Sequence, residues 1–285
     1  MIVGAPHWTF ALATCLALQP MFLSKQVASL DTQRDPARLE TAAVVVASSG
    51  NAEAIHKLAT YLGTRSFLRR LDPDNKGQSN SDHVVKVFLA LAEHPNEATE
   101  ALCIGLAHNP VFVSLPGGLN PLLNALAAVR PMANGAADIF RETSHTDYLS
   151  VNGPLLARNA SPVALKVLEE LFSDESLELE QRVDLAHRSL LPVRTNPAVI
   201  AICARMSVSH VISIGVRTAI AETLFDYQPR QWFGVAMNQP VPPSWRSAPE
   251  PSLNALRTLG RTLLSQPDVP MSLRDAIVKT LDQLP

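Results

Sequence analysis

Apolar and polar positions alternate along the chain in blocks that keep the helical period of 3.6 residues, and no stretch sustains the period-two alternation of a strand. "PARLETAAVVVASSG" predicts a helix that stops at Gly50, a residue suited to the left-handed conformation that ends many helices. "NAEAIHKLATYLGTRSFLRRL" reads as one helical run that gives way to the polar loop "DPDNKGQSNSD". Two apolar segments, "SDHVVKVFLALAEHP" and "NEATEALCIGLAHNP", follow on either side of Pro95, and "LNPLLNALAAVRP" is a further short helix between prolines.

The clearest amphipathic units lie in the second half. In "SPVALKVLEELFSDE", Ser161 is a candidate N-cap, Pro162 suits the first helical position, and Val163, Val167, Leu168, Leu171 and Phe172 share one face. "LEQRVDLAHRSLL" is its expected partner. "PSLNALRTLGRTLLS" and "MSLRDAIVKTLDQLP" form another pair, with Ser272 and Asp275 spaced as a capping box and Leu273, Ala276, Ile277, Thr280, Leu281 and Leu284 on one stripe.

Aligning "RVDLAHRSL", "RTAIAETLF" and "RDAIVKTLD" on Arg182, Arg217 and Arg274 superposes Leu185 with Ile220 and Ile277, and Ala186 with Ala221 and Val278. An arginine followed by small and aliphatic residues on the second helix of a hairpin resembles the HEAT/armadillo-like family of helical repeats, over Ser161 to Tyr227 and Pro251 to Pro285. The resemblance implies an all-α fold, an irregular right-handed α-solenoid of stacked antiparallel hairpins over 30–285. Stacking supplies each hairpin with the apolar cover it lacks alone. The unequal separations of the arginines place an insertion at about 228–251, "YQPRQWFGVAMNQPVPPSWRSAPEPS".

Composition agrees with helices: Leu and Ala are abundant and aromatics are 5% of the chain. With Lys+Arg 24 against Asp+Glu 26, no overall positive field draws in nucleic acid or an anionic membrane surface. Residues 1–29 are a signal peptide or an N-terminal apolar helix. "WTFALATCLALQPMFL" is nearly continuous and apolar, and Val27 and Ser29 are small residues placed for cleavage before Leu30, although the segment before it lacks Lys and Arg. Export, to periplasm or medium, follows if it is cleaved, and a membrane contact only if it is retained. Cys15, Cys103 and Cys203 stand apart in apolar settings and read as buried thiols; a Cys103–Cys203 disulfide is the alternative for an exported chain.

No linear catalytic, phosphate-binding or metal-binding motif is present, so no catalytic residue, cofactor or metal is assigned. The eight histidines are scattered, with only His83 and His94 flanking one predicted helix. Arg182, Arg217 and Arg274 either fork onto a partner's carboxylate in a groove or, as the repeat resemblance implies, brace neighbouring units through an acidic side chain or carbonyl. Arg65, Arg69 and Arg70 read as a solvated face, and the seven acidic residues between Glu169 and Asp184 as a soluble hairpin tip or a site for a basic partner. Trp232, Phe233, Trp245 and Arg246 in the insertion are the candidate partner-binding residues, being types enriched at binding hot spots; folding back over a neighbouring hairpin is the alternative. The expected function is a non-enzymatic scaffold or adaptor for a protein partner. An enzyme or ligand-binding protein with a motif-less groove site, and a subunit of an obligate assembly, are the other readings.

Overall fold

A computed structural model of the chain describes residues 8–73, 82–225 and 245–285, with side chains from residue 20 onward. The described residues form α-helices, two short 3-10 turns and no strands. They fall into two compact units, 1–130 and 131–285.

In the first unit, α1 (Trp8–Thr32), α2 (Pro36–Ser48), α3 (Ala52–Leu62), α4 (Arg65–Leu71), α5 (Asp82–Glu93), α6 (Glu97–Ala107), α7 (Pro110–Val113) and α8 (Leu119–Ala128) succeed one another. Helices α2, α5 and α8 pack side by side, and α3 packs on α6, which also meets α8. Corresponding positions recur at one offset of 45 residues, from Asn51 to Asn96 and from Thr64 to Asn109, all four being N-caps. The buried pairs Leu39/Val84, Ala42/Val87, Ala43/Phe88, Val46/Leu91, Leu58/Cys103 and Phe67/Phe112 keep the same offset.

Two of the asparagines connect the copies. Asn96 caps α6 by accepting from Thr99 N–H at 2.9 Å while its amide donates to Gly50 O at 3.4 Å. Asn109 caps α7 by accepting from Val111 and Phe112 N–H at 2.9 and 3.2 Å, and its amide donates to Gly63 O at 3.3 Å. Each side chain therefore satisfies a free donor at one helix start and a free acceptor at an earlier helix end. Gly50 takes φ +65°, as its place after α2 requires.

The second unit contains α9 (Asn134–Ser144), α10 (Leu149–Asn159), α11 (Pro162–Ser173), α12 (Leu179–Leu190), α13 (Pro197–Ser207), α14 (Ile214–Phe225), α15 (Glu250–Leu264) and α16 (Met271–Asp282). One row runs α10, α12, α14, α16 and the other α9, α11, α13, α15, each helix touching its row neighbours and its hairpin mate. Contact between α10 and α12 depends on Gly153, where a Cβ would lie 2.2 Å from Ser189 Oγ and 2.3 Å from Leu185 Cδ1.

Several expectations are corrected. The run from Asn51 to Leu71 is two helices, because Thr64 leaves the helical region and caps Phe67 N–H at 3.4 Å, starting α4. Ser272 and Asp275 form no capping box: α16 begins earlier, at Met271 after an extended Pro270, and Gln181 accepts from Glu178 N–H at 3.0 Å to make such a box on α12 instead. Val278 is exposed, unlike its counterparts Ala186 and Ala221, because α16 has a row neighbour on one side only among the described residues. Arg70 leaves the solvated face and donates to the carbonyls of Leu30, Asp31 and Gln33 at 2.9, 2.8 and 3.0 Å, closing the end of α1. Val27 and Ser29 lie inside α1 and Leu30 is fully buried. No helix among the described residues is long and apolar enough to cross a membrane. The Cys103–Cys203 disulfide is not formed; both thiols are free and buried. The polar loop at 74–81 lies outside the described residues, as does the side chain of Cys15.

Candidate functional site

The three aligned arginines enter the first turns of α12, α14 and α16 and turn inward. Arg274 donates through Nε to Val269 O at 3.1 Å and through its terminal nitrogens to the carbonyls of Leu264, at 2.9 Å, and Gln266. These carbonyls belong to the end of α15 and the turn before α16, where the backbone has no helical partner. Arg217 crosses to the next hairpin and pairs with Asp268 at 3.3 Å, with the guanidinium mostly covered. Arg182 is buried near Asp174 in the turn of its own hairpin. Burial opposes the charge of Asp174, but the Ser176 N–H bond at 2.9 Å and the positive charges of His145 and Arg182 hold its carboxyl below the usual range. Arg274 and Arg217 therefore serve turns of this chain, as a carbonyl and a carboxylate brace, whereas Arg182 lies buried beside Asp174 with its Nε lacking a hydrogen-bond partner.

Of the insertion residues, Trp232 and Phe233 lie outside the described residues. Trp245 is half-buried at the start of a 3-10 turn (Trp245–Ser247), with the Arg194 guanidinium 5.4 Å from its ring centroid, and Arg246 is exposed beside it. Trp245 thus lies against the segment between α12 and α13, and Ser252 at the start of α15 donates to Thr195 O at 2.6 Å in the same segment.

Sequence reading missed an open groove between α3 and α6 with a cavity volume of about 600 Å³. Ala52, His56 and Ala59 form one wall, Ala101 and Gly105 the other, with Asn109 at one end. The alternation of alanines on the two helices was visible, but no periodicity tells an uncovered small-residue face from a buried one.

Titratable groups are dispersed. His83 on α5 meets Glu40 on α2, and Lys86 holds both oxygens of Glu40 at 3.0 Å. Partial burial raises the Glu40 carboxyl, and the bonds and charges of Lys86 and His83 outweigh it and leave it below the usual range. His94 stands at the other end of α5, and no three metal-ligating side chains converge among the described residues. His187 on α12 is buried, and its Nδ1 lies 2.8 Å from Thr223 Oγ1 on α14. Since the Thr223 hydroxyl donates to Ala219 O at 2.7 Å, the imidazole is the donor between the two helices. Burial drives its pKa down to about 4, so the ring is neutral. The Cys103 thiol is likewise raised by burial and that of Cys203 is pushed up to about 12, which leaves both unreactive.

No protein-family model, curated protein or solved structure matches this chain.

Proposed function

We propose that the chain is a non-enzymatic scaffold or adaptor that binds another protein through the surface of a right-handed α-solenoid resembling HEAT/armadillo-like repeats. The single observation that carries this reading is the double row of the second unit, in which four hairpins follow in order with an inward arginine on three consecutive second helices. The 45-residue recurrence of caps and core positions in the first unit adds to it. Such an arrangement exposes helix faces and turns over a long surface for its size, which suits recognition by shape. A second reading, a ligand-binding protein, rests on the groove between α3 and α6. Isolation of the native protein followed by mass spectrometry separates the two. A stoichiometric protein partner is expected; a co-purified small molecule, displaced when Gly105 is replaced by Leu, would favour the second.

A further inference from the structure

The first residues of three neighbouring helices, Leu179 on α12, Ile214 on α14 and Met271 on α16, are large, apolar and 49, 54 and 73% exposed. Each stands three positions before its inward arginine, Arg182, Arg217 and Arg274, so the exposed side chain keeps the same register as the brace. They lie on one edge. A Cβ on Gly215 would stand 3.3 Å from Leu179 Cδ1, Ile214 lines one crevice with Val269 and Pro270, and the Arg217–Asp268 pair joins the start of α14 to the turn before α16. Val211, 78% exposed, extends the row in the turn before α14.

The turns along this edge are acidic, although Asp268 is paired with Arg217 and Asp174 lies beside Arg182. The turns at 145–148, 174–178, 208–213 and 265–270 contain Asp147, Asp174, Glu175, Glu178 and Asp268 and no Lys or Arg. Arg274 is committed to turn carbonyls and Arg217 to Asp268, which leaves Asp147, Glu175 and Glu178 without an arginine partner in these turns. Acidic residues near helix starts also complement the helix dipole, but that does not account for large apolar side chains left in water at matching positions.

We propose that this edge docks a basic amphipathic helix of a partner protein, laid across the starts of α12, α14 and α16. Packed helices sit about 8–10 Å apart, and residues seven apart on a helix are separated by about 10.5 Å on nearly the same face. A helix with an apolar residue at every seventh position therefore meets Leu179, Ile214 and Met271 in turn, and lysines flanking that stripe face the acidic turns. This deepens the scaffold reading and rests on it.

The test uses the full chain and a labelled synthetic peptide with leucine at every seventh position and lysines beside it, in fluorescence anisotropy. Saturable binding is expected that weakens at least tenfold in the double variant Ile214→Ser, Met271→Ser, and weakens steeply with salt. Both positions are exposed, and circular dichroism checks that the variant folds. Equal binding of a glutamate counterpart, retention of binding by a proline-broken peptide of the same charge, or binding unaffected by the double variant would each overturn the proposal. A concentration-dependent dimer that the double variant abolishes would also overturn it, assigning the edge to a second copy of the chain. If partners isolated with the native protein remain bound to the double variant, the edge proposal fails while the scaffold reading stands.

Discussion

Gly153 and Gly105 are both helical glycines, yet they face opposite surroundings. At Gly105 an added Cβ meets nothing within 4 Å, whereas at Gly153 it overlaps Ser189 and Leu185. Alanine in place of a mid-helix glycine gains up to about 1 kcal/mol of helix propensity, so Gly105→Ala is expected to stabilise the chain. Overpacking costs about 1–3 kcal/mol, which outweighs propensity at Gly153; Gly153→Ala should lower the urea midpoint. His187 makes a prediction of its own. Its folded pKa, about 4 against an ordinary 6.5, means that the unfolded chain takes up a proton first as pH falls. Its contribution is intact above pH 6.5 and lost between 6.5 and about 4, roughly 3 kcal/mol in all at 1.36 kcal/mol per pH unit. His187→Gln should flatten the stability profile across that window in urea titrations. Arg217→Lys, which keeps the charge but loses the planar fork, is expected to lower the melting temperature, since its Asp268 partner lies in the next hairpin.

Asn96 at the start of α6 and Asn109 at the start of α7 each perform two tasks. Aspartate replaces the capping task of Asn109 well but has no donor for Gly63 O. Asn109→Asp should therefore destabilise the first unit by about 1 kcal/mol, measured by denaturant unfolding; unchanged stability would reduce Asn109 to a cap. Element starts were legible where one residue type carries the mechanism: Ser161 accepts from Ala164 N–H ahead of Pro162, as read from the sequence. They were illegible where the signal is ambiguous. Thr64 sits inside an apolar rhythm that continues on both sides, so periodicity passed over the break between α3 and α4. Ser272 has the composition of a cap but falls one residue inside α16, because the turn before it ends at Pro270.

Across the molecule, the second unit was far more legible than the first. Arg182, Arg217 and Arg274 repeat a residue type that must find partners when buried, and this fixes a register readable without structure. In the first unit the matching positions exchange one hydrophobe for another, Ala43 for Phe88 or Leu58 for Cys103, so burial recurs while letters do not. The groove between α3 and α6 and the apolar edge were hidden for the related reason that exposure is decided by which neighbour is missing. The two free thiols give each unit a chemical clock. Cys103 belongs to the first and Cys203 to the second, and both are sealed from solvent. With Cys15 replaced by serine, a thiol-specific dye in mild urea should label each sulfur only as its surroundings open, so one native cysteine per half times that half's opening without any engineered probe.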